Sequence, residues 1–81
     1  MTQTPEQWLL GQLLMNRMEV QPLKGLVWVE WKHEFIYHAM YSLAERNEPI
    51  DMLTVTEELN ELNHLRPIGG AVYVAELADM A

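Results

Sequence analysis

The chain predicts an all-α fold: a compact orthogonal bundle of about five small helices, forming one domain over residues 1–81. Three observations carry that expectation. Apolar residues recur at i, i+3 and i+4 through most of the chain. Two Thr-x-x-Gln/Glu strings have the form of capping boxes, Thr4 with Gln7 and Thr54 with Glu57. The one β-like run, "GLVWVEW" (residues 25–31), has no partner to pair with, and a lone strand is not a stable sheet.

The first helix opens on Thr4 as N-cap with Pro5 at N1, where a missing N–H costs nothing. Leu9, Leu10, Leu13 and Leu14 then form its apolar stripe, and Asn16 ends it. Gly11 lies inside this helix at a cost of about 1 kcal/mol relative to Ala, tolerable where another backbone approaches closely. Residues 17–29 read as a connector with one or two helical turns between Pro22 and Gly25. Its Leu26 and Trp28 are expected to plug into the core.

The longest helix is expected from about Glu30 to Arg46, with His33, Ile36, Tyr37, Met40, Leu43 and Ala44 on its buried face. "RNEPID" breaks it, because Asn47 suits a helix C-terminus and Pro49 cannot continue a helix. The next helix is expected to start at Thr54, with Val55, Leu59 and Leu62 inward and Glu58 and Glu61 outward. After "NHLRPIGG" a closing helix runs from about Gly70, with Val72, Tyr73, Val74, Ala75 and Leu77 available for packing. "AELADMA" ends while still helical, which fits a domain cut from a longer chain.

Bulk properties narrow the function. A domain of this size buries roughly 60–65% of its unfolded surface, so its stability margin is thin. Absence of cysteine excludes disulfides and thiolate metal sites and fits a reducing cytoplasm. The first residues carry no secretory signal, and no apolar run is long enough to span a membrane. Five Lys/Arg against twelve Asp/Glu give a formal charge of −7, and the basic residues (Arg17, Lys24, Lys32, Arg46, Arg66) are scattered. Duplex DNA binding needs several clustered cations, so no direct DNA binding is expected.

No string suits catalysis. The pair Gly69-Gly70 lacks the lysine and Ser/Thr of a phosphate-binding loop and does not follow a strand. It reads as a turn that starts a helix, one glycine taking an unusual backbone angle and the other admitting a close neighbour. In "HEFIYH" the imidazoles of His33 and His38 are five residues apart and diverge by roughly 140° on a helix. They do not form a zinc site. His33 reads as a hydrogen-bonded boundary residue and His38 as a surface one. Ser42 has no base beside it, and Glu57, Glu58 and Glu61 read as a solvated helix face. Neither catalytic, metal nor cofactor-binding residues are assigned.

The last third of the chain, "EPIDMLTVTEELNELNHLRPIGGAVYVAEL", closely resembles a segment of the N-terminal domain of DnaB-family replicative helicases. Pro49, Ile50, Asp51, Leu59, Leu65, Ile68, Gly69, Gly70, Tyr73, Ala75, Glu76 and Leu77 carry the likeness. "PEQWLLGQLLMN" resembles the family's opening helix through Glu6, Leu9, Leu10, Gly11 and Leu14. "WVEWKHEFIY" resembles its aromatic-His-Ile stretch through Trp28, His33, Ile36 and Tyr37. The resemblance covers essentially the whole chain in order. It implies a non-catalytic head in the collar of a hexameric helicase, which binds the C-terminal helicase-binding domain of primase and takes part in loading. ATP hydrolysis would belong to a RecA-like domain elsewhere in the parent protein. A primase-derived or standalone helical adaptor that binds a helicase is the second expectation.

Three departures from the family pattern stand out. The connector between Asn16 and Trp28 is shorter than usual, and the helical hairpin that follows the head in the family is not within these residues. Trp8, Trp31 and Phe35 replace residues that are more often small or polar. With Gln12 and Met15 they form a candidate interaction patch for a partner or for self-association as a weak dimer, the alternative being that the rings repack a small core.

Overall fold

The computed structural model describes residues 4–15 and 28–80. Among them lie four helices and no strand: α1 (Pro5–Leu14), α2 (Trp31–Glu45), α3 (Met52–Glu61) and α4 (Gly70–Asp79). The all-α expectation holds. The short helical turns expected before Trp28, the Leu26 plug and the Asn16 stop lie outside the described residues.

Local chemistry sets each boundary. Thr4 caps α1 with a complete capping box: its hydroxyl accepts from Gln7 N–H, and the Gln7 side chain accepts from Thr4 N–H. α2 ends in a Schellman arrangement, with Asn47 at φ +57°, its N–H on Ala44 O, and Glu48 N–H on Leu43 O. α3 ends the same way at Asn63 (φ +61°), through Asn63 N–H to Asn60 O and His64 N–H to Leu59 O. Asparagine tolerates this left-handed conformation better than most residues, which is why both turns fall on it.

α3 starts earlier than Thr54. Asp51 is the N-cap, accepting from Thr54 N–H at 2.9 Å, while the Thr54 hydroxyl accepts from Asp51 N–H at 2.9 Å. Thr54 is therefore the N3 member of the box and not its cap. The aspartate after Pro49-Ile50 captures the helix one turn before the Thr54–Glu57 pair could.

The core joins Leu10, Leu13 and Leu14 of α1, Ile36, Ala39, Met40 and Leu43 of α2, Val55 and Leu59 of α3, Ile68, and Val74 and Leu77 of α4. α1 packs on α4 and α2, α3 packs on α2 and α4, and α2 also meets α4 through His33 and Tyr73. Burying each large aliphatic side chain contributes about 1.5–3 kcal/mol. Leu9, Trp28 and Phe35 pack against this core from its edge.

Several inward and outward assignments change. Glu58, expected outside, is buried, whereas Leu62 is 42% exposed because α3 turns away at Asn63 before that side chain reaches the core. On α4, Val72 and Ala75 face solvent and Tyr73, Val74 and Leu77 face inward. On α2, Ala39 is buried and Ala44 only partly so. The glycine pair also differs from expectation. Both residues have positive φ (+112° at Gly69, +76° at Gly70), and the close neighbour belongs to Gly69, where an added Cβ would lie 3.1 Å from Tyr73 Cβ.

Candidate functional site

α2 has no side-chain cap of its own: Glu30 occupies the N-cap position and makes no capping hydrogen bond. The missing acceptor comes from α1. Glu6 Oε2 accepts from Val29 N–H at 2.6 Å, and Oε1 accepts from Glu30 N–H at 3.2 Å. A carboxylate placed at a helix N-terminus also complements the helix dipole. Glu6 Oε1 is in addition 2.8 Å from His33 Nδ1, and the other ring nitrogen, Nε2, is 2.5 Å from the Tyr73 hydroxyl. With a neutral imidazole, one proton arrangement satisfies every contact. Nδ1–H donates to Glu6, Tyr73 O–H donates to Nε2, and Gln7 Nε2 donates to the Tyr73 oxygen at 3.4 Å.

This chain of hydrogen bonds ties α1, α2 and α4 together. His33 is fully buried, so the boundary position expected from the sequence is corrected: the ring sits in the core because both its nitrogens are satisfied there. His33 stacks on Tyr73 with centroids 5.9 Å apart, and Trp28 closes the outside with an edge-on ring whose centroid is 6.5 Å from that of His33. Above Tyr73 the Lys32 ammonium lies 4.3 Å from the ring centroid. Burial works against charge on Glu6, but the hydrogen bonds from His33, Val29 and Glu30 outweigh it and hold the carboxyl below its ordinary range. A Glu–His–Tyr relay could serve proton transfer in an open cleft. Here His33 and Tyr73 are sealed in the core, beyond reach of a substrate, and the trio is an assembly device.

A second polar cluster joins α2 to α3. Arg46, at the C-cap of α2, reaches Glu58 through Nη2–Oε1 at 2.6 Å and Nη1–Oε2 at 3.3 Å, and Glu48 through Nε–Oε2 at 2.7 Å. The Arg46 hydrogen bonds hold the Glu58 carboxyl below its ordinary range, against the opposing effect of burial, with Ser42 assisting. The guanidinium is correspondingly pushed up. A cation at the end of α2 also faces the negative end of that helix dipole.

The structure spreads the sequence-derived patch over two helices and varied depths. Trp8 on α1, Met15 at the α1 C-cap and Trp31 on α2 are about half exposed, and Gln12 is partly covered. Trp31 rests edge-on against Phe35 at 5.8 Å, while Phe35 lies 4.1 Å from the His64 ring and packs against the core. Of the motif residues, His33, Tyr73 and Leu77 build the core, Gly11 is buried in α1, and Ile50 packs against the core. Pro49 is exposed, Asp51 and Thr54 form the α3 cap, and Gly69 and Gly70 make the turn into α4. His38 is on the surface, as expected. Sequence reasoning missed the roles of Glu6 and Glu58. Each acid looks like one more solvated carboxylate on its own helix, and its partners lie far along the chain or beyond a break. Among the described residues no group of three or more His, Asp or Glu could hold a metal ion, and no helix is long and apolar enough to cross a membrane.

Comparison with known proteins adds the remaining observation. The family model of the DnaB-like helicase N terminal domain matches residues 2–81. The replicative DNA helicase DnaB of Geobacillus stearothermophilus is 38% identical over 78 residues, covering 91% of this chain. That of Leifsonia xyli subsp. xyli is 37% identical over 79 residues, covering 93%. The chain spans 17% of the length of each of these relatives. The crystal structure of the N-terminal domain of DnaB helicase from Mycobacterium tuberculosis superposes with a TM-score of 0.76 at 30% identity, over 94% of this chain and 56% of that one.

Proposed function

This chain belongs to the family of DnaB-like helicase N-terminal domains, and from that premise we propose that it is a non-catalytic interaction head of a replicative DNA helicase. In this reading residues 1–81 form one helical unit that contributes to the collar of a hexamer, and ATP hydrolysis belongs to another part of the parent protein. The head engages the C-terminal helicase-binding domain of primase, and a helicase loader is a further candidate partner. It acts in the cytoplasm during primosome assembly and contacts neither DNA nor membrane directly. The observation that carries the reading is the match of essentially the whole chain, in order, to the N-terminal domain of helicases that act in replication.

The candidate contact surface is Trp8, Gln12, Met15, Trp31 and Phe35. Half-exposed tryptophans and a methionine supply the large apolar area that energetic centres of interfaces use. The test is calorimetric titration of the 81-residue chain, and of its parent helicase, with the cognate primase C-terminal domain. Binding by the parent that is weakened by Trp31→Ser supports the proposal; no binding in either form overturns it.

A further inference from the structure

We propose that the open cleft between the C-terminal turn of α3 and the loop leading to α4 is a second binding site, one that takes an extended peptide bearing a carboxylate side chain. The cleft has a volume of about 530 Å³ and is lined by Asn60, Asn63, Leu65, Arg66 and Pro67. Nothing in the helicase reading uses it, and it stands or falls independently of that reading.

The charge distribution points to the site. Three basic residues are described. Arg46 is held by Glu48 and Glu58, and the Lys32 ammonium sits over the Tyr73 ring. Arg66 is the one cation among the described residues with no ion pair, side-chain hydrogen bond or ring contact. An exposed guanidinium is comfortable in water, so freedom alone means little. What distinguishes Arg66 is its place in a concavity beside two carboxamides, which can both donate to and accept from a peptide backbone.

The loop that carries these groups is pre-organised. His64 and Leu65 N–H both bond Leu59 O, Gly69 N–H bonds Arg66 O, and Gly70 N–H bonds Leu65 O at 2.8 Å. Ile68 is buried beneath the loop, and the His64 ring lies on Phe35. Little ordering cost would attend binding.

The chemistry also selects the class of ligand. A single guanidinium in a chain of net charge −7 is poorly suited to a phosphate backbone, which needs several cations. A free small anion would meet the negative end of α3 without compensation. A peptide supplies N–H groups for the Asn oxygens, a carboxylate for the Arg66 fork, and aliphatic flanks for Leu65 and Pro67.

The test is a ¹H–¹⁵N NMR titration of the full chain with Ac-Ala-Leu-Glu-Leu-Ala-NH₂ to millimolar concentration. Parallel titrations use its Gln counterpart, sodium acetate and an oligothymidylate. The expected result is movement of the Asn60 and Asn63 side-chain amides and the Arg66 Nε–H signal with the Glu peptide alone. Arg66→Gln, an exposed substitution, then weakens binding about tenfold, as loss of a charge-assisted pair requires. The proposal is overturned by no response, by an equal response to the Gln peptide or to acetate, by undiminished binding in Arg66→Gln, or by the oligothymidylate moving these signals instead.

Discussion

Replacing Glu6 by Gln removes the charge that caps α2 and orients His33, and its cost follows from the hydrogen bonds that the carboxylate accepts. Three donors point at it: Val29 N–H, Glu30 N–H and the His33 ring. The two backbone donors sit beside exposed residues where water can replace the acceptor, so their loss resembles that of an N-cap, about 1 kcal/mol. His33 Nδ1 belongs to a fully buried ring, and weakening its pairing costs about 1–2 kcal/mol. The sum is about 2–3 kcal/mol, a large share of the roughly 4–12 kcal/mol that holds a domain of this size. Urea denaturation followed by far-UV circular dichroism at neutral pH measures it, and a loss of about 2 kcal/mol should also lower Tm by about 8–16 °C. The pH dependence gives an independent check. The folded-state pKa of Glu6 is depressed, so its stabilisation is fully present above the ordinary value of 4.5 and is lost as pH falls through the lower folded value. The difference between parent and Glu6→Gln should therefore shrink in acid. A substitution that costs less than about 0.5 kcal/mol at neutral pH, as ordinary surface changes do, refutes the capping role.

Other expectations follow from the same geometry. Glu58→Gln should lower Tm more than Glu57→Gln, and its penalty should disappear on acidification below 4.5, since Glu58 also titrates below its ordinary value when folded. Asp51→Ala should cost about 1 kcal/mol by urea denaturation, whereas Glu57→Ala should stay within about 0.5 kcal/mol, because the α3 box closes on Asp51. Gly70→Ala should cost about 1–2 kcal/mol through its positive φ alone; Gly69→Ala should cost more, because Tyr73 must also give way. Trp31→Ser should leave Tm nearly unchanged and reduce self-association in analytical ultracentrifugation, while Phe35→Ser should also destabilise through its packing on His64 and the core. Loss of stability in both variants with association unchanged would show that the rings only pack the core.

Some of this molecule is written in short stretches of chain. The Thr4–Gln7 box, the helical spacing of Leu10, Leu13 and Leu14, and the breaks at Asn47 and Gly69-Gly70 are local signals, and each appears where the residues place it. The family strings were legible too, because they are runs of neighbours. Assignments failed where two local signals competed or where a helix ended just short of the core. The start of α3 moved to Asp51 because two capping candidates lay three residues apart. Leu62 fell outside because periodicity does not say where a helix turns away.

Sequence alone thus determined an all-α fold, where most of the described helices would begin or end, and which family pattern the chain would match. Only the tertiary structure decided what the polar residues that link separate helices do. Glu6 became the cap of a helix that starts 25 residues later, His33 a buried link between Glu6 and Tyr73, and Glu58 a buried partner of Arg46. A hydrophobic period reports one face of one helix, whereas a hydrogen bond between helices depends on how two helices are placed. That placement comes from the packing of the whole core and is not contained in any single stretch of chain.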